Sequence, residues 1–360
     1  MKILMIGPFP PVINGVTVSN DFLYKSLLNQ GDKVRVINTE TGKIASMQGD
    51  KISLLKIFTF LSIYKNIFRV VGKDVVYMTI GQTFWGLAKY SPFILFCKLL
   101  GISYVLHVHG GYVCHAYNKM PIYKKKIFRK LMDGSQHVIA LSTSLAEEIK
   151  NVFTNAHVEV VENFYDPRLI ELPETRTSHT VPRFLFLSNL MLGKGILEFL
   201  DALYILKHQH HVNFEVAVAG SIEKGIDNLL HAKIEAIKSH VHFFGVADFE
   251  KKKELLYWSD IFVLPTWYIM EGQPLSIIEA YVTGNVVVST HQGGIKDISG
   301  YDSFVKVEPQ NPQALAATLL EAIDKRLLMD QHIEATKKAT QLRFNSTQFV
   351  EKIYKVLLRK

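Results

Sequence analysis

Short apolar runs rich in valine and isoleucine recur along the first half of this chain, separated by stretches of helical character. The runs are KILMIG, KVRVIN, DVVYMTI, ISYVLHVHG, HVIALS and VEVVEN. Runs that are apolar at almost every position, rather than at every second one, are typical of strands covered on both faces of a sheet. Their alternation with helices predicts an α/β fold with a parallel sheet.

The same pattern breaks off and starts again, which indicates two domains. Residues 165–182, YDPRLIELPETRTSHTVP, are rich in Pro, Thr and charge and resemble no regular element. A chain of 360 residues also exceeds the size at which one hydrophobic core usually stops growing. We predict a first domain over 1–170 and a second doubly wound domain over 171–345. The second has predicted strands FLFLSN, FEVAVAG, VHFFG, DIFVLP and NVVVST, and helices near 196–208 and 228–239.

The last residues, 346–360, are predicted to form one more helix. Phe349, Ile353, Val356 and Leu357 recur at a spacing that places them on one helical face. We expect this face to pack back on the first domain.

The positive charge of the chain is concentrated in its first half. Residues 1–170 hold 20 Lys and Arg against 11 Asp and Glu, whereas residues 171–360 hold 21 against 22. A basic surface favours a polyanionic partner, either nucleic acid or an anionic membrane leaflet. Basic amphipathic stretches at 51–73 and 120–132 favour the membrane, although core helices with a charged outer face explain them equally well. We expect a peripheral contact with anionic lipid and no nucleic acid partner.

The compartment predicted from the sequence is the cytoplasm. The longest apolar stretch, 92–108, is interrupted by Lys98 and Gly101 and is shorter than the roughly 20 residues that a bilayer span requires. The opening MKILMIGPFPP lacks the apolar core of a signal peptide. Cys97 and Cys114 have neither metal-ligand nor CxxC spacing and fit reduced thiols. We therefore expect a cytoplasmic protein that can sit at the inner face of the cell membrane.

The segment EGQPLSIIE, residues 271–279, offers groups that suit a phosphorylated sugar. It follows the predicted strand DIFVLP and opens a helix, so the backbone N–H groups of Leu275 and Ser276 face outward at the positive helix end. Glu271 and Glu279 would be repelled by a pyrophosphate and are better suited to accept hydrogen bonds from sugar and ribose hydroxyls. An acid that complements the helix dipole is the plainer alternative.

This segment, with its continuation AYVTGNVVVSTHQGGIKDI, resembles the donor-binding signature of the retaining glycosyltransferases of family 4. Four further segments resemble that family in the expected order: NGVTVSNDFLYKSLLNQGDKVRVI, HVHGG, VVENFYDP and FLSNLMLGKGILEFLDAL. The resemblance covers most of the chain. It implies the GT-B fold, in which two Rossmann-like domains face a central cleft.

The resemblance also implies roles for individual residues of the second domain. Glu279 is expected to bind the ribose hydroxyls and Glu271 the hydroxyls of the donor sugar, with Gly272 beside it. Lys194 is expected to neutralise the pyrophosphate as it leaves, which is electrostatic stabilisation of the transition state. A lysine before a helix is otherwise more often a surface residue.

The family resemblance also implies donor contacts for two residues of the first domain. Gly15 lies in the loop after the first strand, where the absence of a Cβ lets the backbone approach the donor phosphate; a simple turn glycine is the alternative. His109 follows an apolar strand and is expected to touch the donor sugar. His107, two residues earlier on the same face, is the alternative histidine, although strand histidines are commonly enclosed in a core.

The chain departs from the family at two positions. Ser188-Asn189-Leu190 stands where many members have an arginine, so Asn189 takes a place among the donor-binding residues and Lys194 carries more of the charge. Pro274 stands where many members have a glycine and removes one N–H donor. No DxD pair ends a strand, and His208, His210 and His211 lack an acidic or cysteine partner nearby, so we predict neither metal nor cofactor.

The predicted activity is retaining transfer of a hexosyl group from a nucleotide-diphosphate sugar to a saccharide or to a polyprenyl or other lipid-linked acceptor. Assembly of cell-envelope polysaccharide, including lipopolysaccharide and O-antigen, is the expected pathway. The first loop, IGPFPPVING, lacks GxGxxG, which argues against a dinucleotide-dependent oxidoreductase. A noncatalytic nucleotide-sugar-binding or membrane-associated protein of the same fold is the remaining alternative.

Overall fold

The computed structural model describes residues 1–40, 62–171, 179–328 and 330–359, without the side chains of residues 327, 328 and 330. The chain divides into two compact units. Unit 1 comprises Met1–Asn163 and Thr347–Lys360, and unit 2 comprises Phe164–Ser346. The division thus falls a few residues before the position expected from the sequence, and the end of the chain groups with unit 1.

Unit 1 is built on a parallel sheet whose described strands have the order β2-β1-β3-β4-β5-β6. The six predicted runs form these six strands, so a parallel α/β sheet is confirmed. The edge strand β2 departs from the expectation of burial on both faces, because its first four residues alternate between exposed and partly buried positions and Ile37 is its one buried residue. The strands are β1 (Lys2–Gly7), β2 (Lys33–Asn38), β3 (Val75–Ile80), β4 (Ser103–Val108), β5 (His137–Ala140) and β6 (Val158–Val160).

Helices cover this sheet and bury its apolar side chains. Phe128, Ile94 and Ile149 of three different helices are buried in one cluster with Val76 and Leu106 of the central strands. Asn14 caps the first helix by accepting hydrogen bonds from the backbone of Val16 and Thr17, both at 3.0 Å. The described helices are α1 (Gly15–Asn29), α2 (Phe84–Ala88), α3 (Ser91–Leu100), α4 (Val113–Lys119), α5 (Ile122–Met132) and α6 (Thr143–Val152).

Unit 2 contains a second parallel sheet, whose described strands have the order β12-β11-β10-β7-β8-β9. Strands β10 and β11, with sequences IFVL and VVVS, are buried at every position, as strands in the middle of a covered sheet must be. The strands are β7 (Arg183–Leu187), β8 (Glu215–Ala219), β9 (Val241–Phe243), β10 (Ile261–Leu264), β11 (Val286–Ser289) and β12 (Phe304–Lys306).

The helices of unit 2 are α7 (Ile196–His208), α8 (Asp227–Ala236), α9 (Phe249–Trp258), α10 (Leu275–Val282), α11 (Pro312–Leu328) and α12 (Asp330–Arg343). Helix α7 has the predicted bounds, and α8 ends three residues before the predicted end. Strand β12 and helices α9, α11 and α12 were not predicted. Strand β12 is recognised by its pairing with β11.

The last helix, α13 (Ser346–Leu358), buries Phe349, Ile353, Val356 and Leu357, the apolar face that the sequence predicted.

Of the helices in the described parts of the chain, none is long and apolar enough to cross a membrane. The basic stretch 51–73 falls mostly outside the described residues, which resume at Ser62.

Candidate functional site

Lys194 and Glu271 meet in unit 2 although they are far apart in the sequence. Nζ of Lys194 donates a hydrogen bond to Oε2 of Glu271 at 2.6 Å, and the hydroxyl of Thr266 donates to the same oxygen at 3.0 Å. The two charged side chains are 13% and 7% exposed, so water reaches the pair only in part. A cation and a carboxylate are therefore held together at the end of the sheet, in a position that is largely shielded from water.

The strand order explains this meeting. Strand β7 lies between β8 and β10, so the order of the sheet reverses between β7 and β10. In open α/β sheets, ligands bind beyond the carboxyl ends of the strands at such a reversal. Lys194 ends a short 3₁₀ turn (Leu192–Lys194) after β7, and Glu271 lies in the loop after β10. Both predicted residues thus lie at the position where a ligand is expected.

Glycines allow the surrounding loops to approach each other closely. Gly195 has a φ of +78°, and a Cβ there would lie 2.4 Å from the carbonyl oxygen of Pro265. Gly293 has a φ of +56°, and a Cβ there would lie 2.2 Å from the carbonyl oxygen of Glu271. The backbone of Gly272 is held as well, because its carbonyl accepts a hydrogen bond from the Gly294 N–H at 2.8 Å. Glycine is required at both turns for the Glu271 loop to keep this shape.

Helix α10 presents its first turn beside this loop. It begins at Leu275 after Pro274, and no side chain caps it. The first N–H groups of a helix have no partner within the helix, so Leu275 and Ser276, both partly exposed, can donate to an anion. Since α10 begins only after Glu271, the two glutamates Glu271 and Glu279 do not share a helix.

Glu279 is the second carboxylate that the sequence predicted in unit 2, and it too is paired with a lysine. It lies on α10, is 5% exposed, and its Oε1 accepts a hydrogen bond from Nζ of Lys252 on α9. Lys252 was not predicted as a site residue, because the run Lys251 to Lys253 has the pattern of an exposed helix face. Thr266 was also missed, since a lone threonine after a strand carries no signal.

Asn189 lies in the turn after β7, where the family often has arginine. Its Oδ1 accepts a hydrogen bond from the hydroxyl of Ser221 at 3.0 Å, which ties the ends of β7 and β8 together. This amide brings no positive charge. Lys194 is therefore the cation that the structure places next to Glu271.

The two remaining predicted residues, Gly15 and His109, belong to unit 1. Gly15 is exposed and opens α1 directly after the capping residue Asn14. His109 follows β4, and its Nε2 is buried without a hydrogen-bond partner in the described part of the chain. Burial lowers the pKa of His109 to about 3, so this ring is neutral near neutral pH. His107 is completely buried, as expected of the enclosed member of the pair.

No group of three or more His, Cys, Asp or Glu side chains in the described ranges is arranged to hold an ion. The two predicted carboxylates of unit 2, Glu271 and Glu279, are each paired with a lysine.

Comparison with known proteins gives consistent matches along the chain. A family model described as Glycosyltransferase Family 4 matches residues 13–169, and one described as Glycosyl transferases group 1 matches residues 181–325. A Bacillus subtilis (strain 168) glycosyltransferase assigned to teichuronic acid biosynthesis is 23% identical over 257 residues, 68% of this chain and 61% of that protein. The chain thus spans less than two thirds of that relative's length.

Solved structures share the fold at low sequence identity. A glycosyltransferase from Rickettsia africae has a TM-score of 0.76 and 19% identity, covering 99% of this chain and 98% of that one. Anabaena HepE, solved with UDP and glucose, has a TM-score of 0.73 and 16% identity, covering 99% of both chains. Family models thus match both units of the chain, and solved structures share its two-sheet fold along nearly its whole length. The chain belongs to the group 1, family 4 glycosyltransferases, which have the GT-B fold.

Proposed function

We propose that this protein is a retaining glycosyltransferase that moves a hexosyl group from a nucleoside diphosphate sugar to an acceptor hydroxyl. The observation that carries the proposal is the pairing of Lys194 with Glu271 at the strand reversal of unit 2, next to the uncapped start of α10. Family membership and the UDP complex of the Anabaena neighbour support it.

In this proposal the charges of unit 2 change partners when the donor binds. The pyrophosphate accepts hydrogen bonds from Lys194 and from the N–H groups of Leu275 and Ser276. Glu271 then exchanges part of its contact with Lys194 for a sugar hydroxyl, while Thr266 keeps the carboxylate in place. Glu279 takes the ribose hydroxyls, Asn189 lies beside the phosphates, and Gly272 beside the sugar.

Two residues of unit 1 complete the proposed donor contacts, as the family resemblance implies. Gly15 lets the backbone approach the donor phosphate, and His109 offers a neutral imidazole to the donor sugar. The buried Nε2 of His109, which has no partner in the described part of the chain, suits a hydrogen bond to a ligand.

The proposed reaction breaks the bond between the sugar C1 and the phosphate oxygen. The acceptor hydroxyl attacks C1 from the face that the pyrophosphate leaves, so the configuration at C1 is retained. The acceptor proton passes to the departing phosphate oxygen. Lys194 and the positive end of α10 stabilise the negative charge that develops there, and no metal or cofactor is needed in this scheme.

We propose an acceptor of the cell envelope, either a saccharide or a lipid-linked one, in view of the relative assigned to teichuronic acid biosynthesis. Helix α5 supports a peripheral location at the inner face of an anionic membrane. Ile122, Tyr123 and Ile127 are 69%, 60% and 47% exposed, and Lys126 and Lys130 on the same helix are exposed as well. Apolar side chains flanked by lysines suit the interface of an anionic bilayer.

The first experiment is saturation-transfer NMR against UDP-, GDP- and ADP-glucose in EDTA, for the wild type and Glu271→Gln. The bound sugar is then used to follow donor hydrolysis, with the anomer first released read by ¹H NMR. We expect one nucleotide to bind, the α-anomer to appear first, and Glu271→Gln to lose hydrolysis while still binding.

Glu254 is exposed, and Glu254→Gln is therefore the matched control. This variant is expected to hydrolyse the donor at the wild-type rate. Equal hydrolysis by Glu271→Gln and the wild type would refute the catalytic assignment. Binding without any turnover in the wild type would favour the noncatalytic alternative.

A further inference from the structure

The rings of two histidines of unit 1 lie against each other at the end of β4. The ring centroids of His107 and His109 are 3.9 Å apart, and their planes are inclined by 36°. Nε2 of each ring is buried without a hydrogen-bond partner among the described residues. Nothing in the proposed reaction requires two histidines, so the inner ring, His107, needs its own explanation.

Tyr77 is hydrogen-bonded to His107. The phenol oxygen of Tyr77 and Nδ1 of His107 form this bond, and both residues are essentially unexposed. Burial raises the pKa of Tyr77, so its hydroxyl keeps its proton and can donate it. Burial lowers the pKa of His107, and the neighbouring His109 lowers it further, so that ring is neutral. When the phenol donates, Nδ1 accepts and the single ring proton of His107 is on Nε2, which is the tautomer that the inference below requires.

The same face of the sheet carries a second set of buried polar contacts. Thr79 lies two residues after Tyr77 and pairs with His107 across the sheet. Its hydroxyl donates to Oδ1 of Asn20 on α1 at 2.8 Å, and Nδ2 of Asn20 donates to the carbonyl of Pro8 at 2.9 Å. The loop that leads to Gly15 and the strand that leads to His109 are thus both tied to β3, the first through Thr79 and the second through Tyr77.

Packing alone does not require these polar groups. Leucine, valine or phenylalanine would fill such positions without the desolvation that buried hydroxyl and imidazole groups undergo. Buried polar groups that are hydrogen-bonded to one another select a single arrangement, because any shift leaves a donor or acceptor without its partner. The hydrogen bond from Tyr77 holds one nitrogen of His107, the ring that lies against His109.

We infer that His107 is a positioning residue, held in its Nε2–H form by Tyr77, whose ring supports the stacked His109 side chain in the orientation that meets the donor sugar. The inference rests on the proposed function for the role of His109. The geometry of the Tyr77, His107 and His109 column stands independently of that role.

The test uses Tyr77→Phe, which removes only the hydroxyl. Tyr104→Phe is the matched control, because Tyr104 is a buried tyrosine of β4 on the opposite face whose hydroxyl has no hydrogen-bond partner in the described ranges. Long-range ¹⁵N–¹H NMR of the ¹⁵N-histidine-labelled full chain at pH 7.5 reports the tautomer of each ring. Donor hydrolysis reports kcat and KM. It is measured with the nucleotide sugar that binds in the saturation-transfer NMR experiment.

We expect the wild type to show the Nε2–H tautomer for His107. Tyr77→Phe should give a mixture of tautomers and should shift the His109 resonances, whereas Tyr104→Phe should change neither. In Tyr77→Phe, kcat should fall roughly 10-fold with the donor KM within about twofold, because a misplaced contact acts mainly in the transition state.

An Nδ1–H tautomer of His107 in the wild type would overturn the inference. So would His109 resonances or a kcat that respond no more to Tyr77→Phe than to Tyr104→Phe. If the wild type shows the expected tautomers but hydrolyses no nucleotide sugar, the column stands and the proposed function fails, so the two failures are distinguishable.

Discussion

Nζ of Lys194 lies 2.6 Å from Oε2 of Glu271, although 77 residues separate the two along the chain. In the proposed reaction these side chains serve different parts of the donor, the lysine the phosphates and the glutamate the sugar. Before the donor arrives, each neutralises the other in a position that water reaches poorly. The pair therefore keeps both groups in place for the ligand, and loss of either partner leaves the other charge unpaired.

Removing the lysine should destabilise unit 2. In Lys194→Met, Glu271 keeps its contact with Thr266 but becomes an unpaired, largely buried carboxylate, which costs roughly 3–5 kcal/mol. Urea unfolding should show this loss, and donor hydrolysis should be lost with it. The double variant Lys194→Met/Glu271→Gln should recover most of the stability and none of the activity. A double variant as unstable as Lys194→Met would argue against the pair as the cause.

The ion pair between Lys252 and Glu279 should govern nucleotide affinity. In Lys252→Met, the Glu279 carboxylate loses the contact that orients it toward the ribose, so we expect the Kd for the nucleotide to rise roughly 10-fold, about 1.4 kcal/mol, with kcat at saturation nearly unchanged. Isothermal titration calorimetry measures the Kd.

Lys233→Met is the control for this change, since Lys233 pairs with Asp201 in the same unit and is about as exposed, 25% against 22%. A similar loss of affinity in both variants would assign the effect to general destabilisation.

The stability of unit 1 should fall as the pH is lowered below about 6.5. Burial depresses the folded-state pKa of His109 to about 3, and that of His107 also lies well below the ordinary value of 6.5. At pH values between these folded-state pKa values and 6.5, the unfolded chain binds more protons than the folded one, so acid favours unfolding. Thermal unfolding from pH 7.5 to 5 should show this slope, and His109→Gln should reduce it. A similar reduction by replacing the exposed His231 would contradict the assignment.

Chelation should leave catalysis intact. Lys194 and the start of α10 supply the positive charge at the proposed phosphate position, so donor hydrolysis in EDTA should stay within about twofold of its rate without chelator. A large loss that Mg²⁺ or Mn²⁺ restores would show that an ion takes part.

Binding to vesicles should depend on the charge of helix α5. Flotation with phosphatidylglycerol-containing vesicles should recover the wild type, and phosphatidylcholine vesicles should not, with binding weakening as salt is raised. Lys126→Glu/Lys130→Glu should abolish recovery. The control Lys224→Glu/Lys338→Glu changes two exposed lysines of unit 2 and should float like the wild type. Equal loss in both double variants would mean that overall charge, not α5, causes binding.

Local patterns were sufficient to predict most of the strands. Runs such as KILMIG and NVVVST are apolar at nearly every position, and that property survives in the folded sheets as complete or nearly complete burial. Strand β12 was not predicted and is recognised by its pairing with β11. Helix α10 begins at Leu275, where the sequence analysis expected the first N–H donors of the helix.

The sequence by itself determined the fold class, the succession of two α/β series and the motifs that place the chain in its family, because these follow from local periodicity and residue identity. The tertiary structure decided which polar side chains meet: Lys194 with Glu271, Lys252 with Glu279, and Tyr77 with His107. Each of these contacts joins residues that belong to, or directly follow, different strands or helices, so it depends on strand order and register. Those are set by the packing of the whole sheet, which no short stretch of sequence encodes.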